Sequence, residues 1–235
     1  MLRMTSSPPV PHPGPDVHGT AMEAVARAIT EGRYATGATL ELPRVAADLT
    51  LTEPVLGEAL RALAAKGLLD GTGRVRPRSA WNLLDSDVLR WTLAAAPVSP
   101  AFYGDLHELR RSVEPPAAAL AAQHRSPADL TVLDSALAAM ACAERAEHAD
   151  PVGAAQADAT FHTALLTASG NRFYAQLPRV IAPALTTRVC VVHAGPHHHP
   201  LPCHSEVAAR IRERDADGAY TAMLELLDVS LRDDP

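Results

Sequence analysis

Aromatic residues make up only 4% of this 235-residue chain. So sparse a supply argues against the stacking platforms that bind single-stranded nucleic acid, where successive bases each need a ring. Cysteine is also scarce. Cys142, Cys190 and Cys203 are scattered and odd in number, so no disulfide framework is implied and all three read as buried or idle thiols. No apolar run is long enough to span a bilayer. The first residues, MLRMTSSPPVPHPGPDVHG, lack the apolar stretch of an export signal, so the chain is expected in the cytoplasm. Also missing are a paired general acid and base, a nucleophile motif and a phosphate-binding loop, which argues against an enzyme.

What is present is ordinary for a folded protein with a real core: 47% hydrophobic and 20% charged residues. The net charge of −6 argues against a protein that only coats nucleic acid. It leaves room for a small DNA-binding domain beside an acidic partner domain, because charge acts domain by domain.

Residues 1–19 are rich in Pro, Ser, Gly and His and read as a disordered tail. From Thr20 to Glu31, Met22, Val25, Ala26 and Ile29 recur at helical spacing. Pro43–Leu49 suits a second, short helix. Thr52 can cap a third, Glu53–Lys66, whose stripe is Val55, Leu56, Ala59, Leu60 and Leu63 and which Gly67 stops. Leu68-Leu69, the turn Gly71-Thr72-Gly73 and Arg74–Arg78 then read as a β-hairpin. Three helices followed by a hairpin is the order of a winged helix-turn-helix, whose third helix enters the major groove. The outward face of that helix carries Glu53, Gly57, Glu58, Arg61 and Lys66. Residues 20–79 are therefore expected to form this domain and residues 80–100 a connector. Beyond Pro100 the pattern is helical throughout, with helices near 101–124, 127–147, 150–169, 172–192, 203–214 and 216–232. The expected fold is thus mainly α: a winged helix-turn-helix with a small β wing, then an all-α bundle over 101–235.

At several points the sequence resembles the GntR superfamily of bacterial regulators, in particular the FadR subfamily with its FCD effector domain. The resemblance rests on Ile29-Thr30-Glu31-Gly32, on Thr36-Gly37 and on Gly57-Glu58-Ala59-Leu60-Arg61 running to Gly67-Leu68. Trp81-Asn82-Leu83-Leu84-Asp85 looks like the connector of members that sense sugar acids. In the second half it rests on Glu108-Leu109-Arg110-Arg111-Ser112-Val113-Glu114-Pro115, Asp158-Ala159-Thr160-Phe161-His162 and Ala168-Ser169-Gly170-Asn171. It implies a DNA-binding transcription regulator, homodimeric so as to match two-fold symmetric half-sites. It further implies control by a small carboxylate, such as a sugar acid, bound in the helical domain.

Two positions depart from the family pattern. Glu53 and Gly57 stand where the family has operator-contacting arginines; a carboxylate repels phosphate, and glycine has no side chain. The remaining DNA-contact candidates are Arg44, Thr52, Arg61, Lys66, Arg74, Arg76 and Arg78, whose alternative reading is a solvated basic surface. The second departure concerns a metal site. Asp158 and His162, four residues apart on one expected helix, share a face. His204 matches the family's next ligand, but Leu226 stands where a further histidine is expected. Three N/O ligands can still hold Zn²⁺ or a related divalent ion; the alternative is a set of ordinary polar helix residues. His193, His197, His198 and His199 lie in a Gly/Pro-rich stretch and read as a solvated loop, with His193 a conceivable replacement ligand.

Arg110 lies beside the expected stripe Leu106, Leu109 and Val113. The resemblance makes it an effector-binding residue, and a guanidinium fork suits a carboxylate. Its spacing from Glu114 equally suits an intramolecular ion pair. Two functions stay open: an effector-controlled, operator-binding regulator, and a sensor of the same family whose operator binding is altered or lost. A metal-dependent hydrolase is a third and remote reading.

Overall fold

The computed structural model describes residues 17–95, 99–145, 150–192 and 201–232. The loop with His193 and His197–His199, the side chain of Cys190 and residues 1–16 of the expected tail lie outside it. The chain divides into two compact units, Met1–Asn82 and Leu83–Pro235.

The first unit holds α1 (Val17–Thr30), α2 (Leu42–Leu49) and α3 (Glu53–Ala65). Helix α1 starts at Val17, inside the stretch expected to be tail. Both α1 and α2 pack on α3. The α3 stripe is sharper than its sequence pattern: Leu56, Ala59 and Leu63 are buried, whereas Val55 and Leu60 are half-buried. Thr52 takes the N-cap position, but its hydroxyl makes no capping bond there. At the other end the Gly67 amide reaches the Ala64 carbonyl and the Leu68 amide the Leu63 carbonyl, a Schellman closure. It requires φ of +87° at Gly67, a conformation that side-chain-bearing residues rarely adopt. The wing is minimal. Leu69 bridges Val75, and the Asp70 carboxylate accepts bonds from the Thr72 amide (2.8 Å), the Thr72 hydroxyl (2.6 Å) and the Arg74 amide (3.1 Å). A third extended piece, Thr39, bridges Arg74 and was not evident in the sequence pattern.

The second unit comprises α4 (Ser86–Ala95), α5 (Pro100–His124), α6 (Pro127–Arg145), α7 (Pro151–Ala168), α8 (Pro178–Val192), α9 (Leu201–Glu213) and α10 (Ala216–Arg232). Four of these open on proline, whose missing N–H is harmless in a first turn and whose fixed φ suits it. Ser99 and Asp150 cap α5 and α7 by accepting from the Phe102 and Gly153 amides. Helix α7 is the centre: it packs against α5, α6 and α8. Its buried residues, from Ala155 through Phe161 and His162 to Ala168, cover more than half of the cylinder and leave one narrow outer stripe, Gln156, Thr160, Thr163 and Thr167. Many of them are alanines, which let neighbouring backbones approach closely.

The connector is not featureless. Helix α4 occupies its middle, started by Asp85, whose carboxylate accepts from the amides of Asp87 (3.0 Å) and Val88 (3.3 Å). Its Val88, Leu89, Trp91 and Leu93 are buried, and it packs on α8. Shortening Leu89, which is 0% exposed within the main core cluster, should cost about 2–5 kcal/mol through lost burial and a residual cavity. Leu84→Ala, at a 68% exposed position, should change stability by less than about 0.5 kcal/mol. Urea unfolding of both variants measures the difference; equal midpoints would show that α4 is not part of the core.

Candidate functional site

Because α7 packs against three other helices, a polar residue on its inner face is buried. His162 is 1% exposed and Asp158, one turn earlier, is partly exposed. Helix α9 brings His204, also 1% exposed, to the same place. One oxygen of Asp158, Oδ1, lies 2.9 Å from His204 Nε2 and 3.4 Å from His162 Nε2. A ligand atom from each of the three residues lies within 4.8 Å of the others. The edge of the Phe161 ring packs on His204, with centroids 4.9 Å apart. The structure thus brings together the three residues that the sequence nominated as metal ligands.

It adds a fourth charged residue. Arg110 lies within the buried face of α5, not beside it: that face runs Tyr103, Leu106, Arg110, Glu114, Ala117 and Ala121. Leu109 and Val113, expected on the stripe, are only half-buried. Arg110 Nε donates to Glu114 Oε1 at 2.9 Å, and Nη2 to Oε2 at 3.4 Å. Glu114 Oε2 in turn lies 2.9 Å from His162 Nδ1. The ion pair and the neighbouring imidazole are therefore one cluster. Arg110 Nη2 lies 2.8 Å from His162 Nε2 and 3.3 Å from Nδ1. The lone-pair axes of an imidazole diverge, so an atom near both nitrogens lies on neither axis. The guanidinium stands against the ring, as arginine does on aromatic faces.

Burial by itself would raise the Glu114 carboxyl. The charges of Arg110 and His162, with hydrogen bonds from both, overcome this and lower it to about 2. Asp158 follows the same pattern, with His162 and His204 holding its carboxyl well below the usual carboxylate range. For His162, burial pushes down and Arg110 repels, but Glu114 and Asp158 prevail and the imidazole is raised. Two carboxylates and an arginine therefore act on the one buried ring.

Two nitrogens and a carboxylate oxygen form a donor set suited to a borderline ion such as Zn²⁺. Neighbouring ligands of a tetrahedral zinc stand ~3.3 Å apart at the usual bond lengths, close to the separations around Asp158 Oδ1. The residues therefore fit a divalent ion. Leu226 is fully buried in the core and offers no donor. Cys142 is exposed and Cys203 half-buried, both as free thiols.

On the first unit, the outward face of α3 exposes Glu53, Glu58 and Arg61. Glu58 pairs with His18 of α1 at 2.7 Å. A Cβ placed on Gly57 would stand 3.7 Å from an Arg61 guanidinium nitrogen, so Arg61 leans over the space left by the missing side chain. Arg44 is exposed on α2 and lines a cleft of about 570 Å³ with Arg33, Tyr34, Thr39 and Asp48. Arg74 is exposed on the wing, while Lys66 is half-buried at the C-cap of α3. Arg76 is half-buried and Arg78 exposed, and each donates to a backbone carbonyl: Arg76 Nη1 to Gly67 at 3.5 Å and Arg78 Nη2 to Thr30 at 2.7 Å. Arg78 also lies over the Trp81 ring, 5.7 Å from its centroid.

A helix-turn-helix with a short wing and, in the same chain, an all-helical unit enclosing an acid–imidazole cluster define a DNA-binding regulator with a separate sensing domain. Residues 105–229, more than half the chain, match the FCD domain, and the chain belongs to the GntR family of transcriptional regulators that carry it. The galactonate operon transcriptional repressor of Escherichia coli K12 is 29% identical over 212 residues, covering 87% of this chain and 90% of that one. Among solved structures, a Streptococcus agalactiae GntR protein is 25% identical with a TM-score of 0.51, covering 92% of this chain and 99% of its own. Lar of Listeria monocytogenes shares the fold at a TM-score of 0.60 and 14% identity, covering 94% and 98%. The relatives are regulators, not enzymes. No helix among the described residues is long and apolar enough to cross a membrane.

The Arg110–Glu114 pair is only 4% and 0% exposed, so removing one partner strands a buried charge. Arg110→Ala should destabilise the second unit by about 3–5 kcal/mol. Replacing both residues by Met and Leu should recover most of that loss, because the stranded carboxylate goes with its partner. Urea denaturation of the single and double variants tests this; equal destabilisation would show that packing, not the stranded charge, sets the cost.

Proposed function

We propose that this chain is an operator-binding regulator whose FCD domain senses a small carboxylate at a divalent metal held by Asp158, His162 and His204. The convergence of Asp158 Oδ1 and the two histidine Nε2 atoms carries this reading. A bound ion supplies a localised positive charge and open coordination positions that a carboxylate can complete. The chain's own residues supply the rest. His204 Nε2 donates to Asp158 in this arrangement, and would have to be deprotonated to serve as a ligand. Phe161 walls the site; Arg110, the effector-binding candidate, stands one imidazole away with its charge already met by Glu114, so a bound ion would be the cation that attracts an anion. The E. coli relative's name, galactonate operon repressor, supports a sugar acid as that anion. An effector that binds two arrangements of the regulator unequally shifts their balance. The protein acts as a cytoplasmic homodimer on a two-fold symmetric operator. Arg44, Thr52, Arg61, Lys66 and Arg74 are the residues proposed to meet DNA, with Arg61 reading bases across Gly57; Arg76 and Arg78 shape the wing that presents Arg74.

Elemental analysis of purified protein tests the metal. The expected result is one ion per chain in the wild type, lost in His162→Ala and kept when His197, His198 and His199 are all replaced. Metal that disappears only with those three histidines would sink the site.

A second reading, a sensor with altered or lost operator binding, is favoured by the exposed Glu53 and Glu58 on the helix that faces DNA. A gel shift with DNA from upstream of its own coding region separates the two. Specific binding at moderate salt, weakened by about 1–3 kcal/mol in Arg61→Ala, supports the first. No specific shift would move the second reading ahead.

A further inference from the structure

We infer that Glu53 reads cytosine in the operator: its carboxylate accepts from the N4 amino group in the major groove, on the base pair next to the one that Arg61 reads. The inference rests on the proposed operator binding and gives the first residue of α3 a part in choosing the base.

In a helix-turn-helix the N-terminal residues of the recognition helix meet base edges. Here that helix is α3, and Glu53 is its first residue and exposed. Three charged side chains are exposed along α3: Glu53, Glu58 and Arg61. Glu58 is engaged by His18 of α1 at 2.7 Å. Among the described residues Glu53 and Arg61 enter no ion pair, so their polar atoms are open to a partner from outside the chain.

Glu53, Gly57 and Arg61 follow one another at four-residue spacing, on one line along the helix. Long helical side chains lean toward the helix N-terminus. Arg61 does so, and its Nη1 lies 3.7 Å from where a Gly57 Cβ would stand. The missing side chain at Gly57 lets the guanidinium advance one turn toward Glu53. A donor fork and an acceptor carboxylate are thereby brought about one turn apart, roughly 5–6 Å at their anchor points. Side chains of this length bridge the difference from the rise between neighbouring base pairs, about 3.4 Å.

The two groups differ in what they can read. A guanidinium has only donors and suits O6 and N7 of guanine, whereas a carboxylate has only acceptors. In the major groove cytosine presents its N4 amino group alone, which matches Glu53. Adenine sets an N7 acceptor beside its amino group, and that lone pair repels the second carboxylate oxygen. Guanine and thymine present acceptors only. Phosphates repel the same carboxylate, so Glu53 weakens binding to DNA in general and recovers the loss at cytosine, which sharpens selection.

Selection from a pool of random duplex DNA by the full-length protein, read by sequencing, tests this. Arg61→Ala should relax a guanine position. Glu53→Ala should relax the neighbouring cytosine, which the wild type favours by about 5–10-fold, the low end for a base contact because one bond carries it. Glu53→Gln should turn that cytosine into adenine, whose N6 and N7 suit an amide. A wild-type motif with no two adjacent G·C pairs overturns the inference without any variant. A Glu53→Ala protein that keeps every base preference does so too, even if its urea midpoint moves; Glu53 then only favours the positive end of the helix. A position relaxed by Glu53→Ala that is not cytosine, or not beside the Arg61 position, also overturns it. In these cases operator binding itself still stands. A wild type that enriches no sequence removes both.

Discussion

The second unit is organised around a burial problem. Helix α7 is packed against α5, α6 and α8, and on its buried side it carries a histidine. An imidazole there needs partners for both nitrogens, and each partner that is charged needs its own compensation. The chain meets this with a sequence of residues on three helices. Glu114 takes Nδ1, Arg110 neutralises Glu114, and Asp158 and His204 gather around Nε2. The packing of α5 and α9 near α7 is constrained by these contacts, because a partly satisfied cluster of this kind is worse than an apolar core.

On the proposed reading, the same arrangement suits the site to sensing. Its charges are nearly balanced within the protein: one arginine, two carboxylates and two imidazoles. A divalent ion that displaces a proton, and a carboxylate that joins the ion, change that balance by whole charges inside a medium that screens poorly. Helices that share the cluster are the elements on which such a change acts. In the first unit the electrostatics are different. There the charged groups are exposed and screened, and acidic residues sit among the basic ones on α3. On the proposed reading, recognition of DNA by this face would depend on a few well-placed cations rather than on a broad positive field.

Much of this was legible in the sequence, for local reasons. Proline at the first turn marks α5, α6 and α7, and Gly67 marks the end of α3, whereas the helix expected over 172–192 starts only at Pro178; such signals act within a few residues and need no partner. The pairing of Asp158 with His162 follows from the helical repeat alone. The wing turn was visible in Gly71-Thr72-Gly73. Composition and motif order also pointed to a regulator and away from an enzyme, in agreement with the FCD match and the relatives.

What only the tertiary structure decided is who stands next to whom. Glu114 read only as an ion-pair partner for Arg110 one turn along α5, because nothing in a linear pattern says that His162 lies 2.9 Å from it. Helix α4 was hidden in the connector, because its apolar residues declare a face only when α8 is there to cover it. Arg76 and Arg78 read as two more wing cations, but the backbone carbonyls that receive them come from Gly67 and Thr30, and the latter is 48 residues away. The sequence by itself determined the elements and the chemical types at the site, since hydrophobic period and capping are short-range properties. The partners of each charge were decided in three dimensions, because burial and desolvation belong to the packed chain and to no single segment of it.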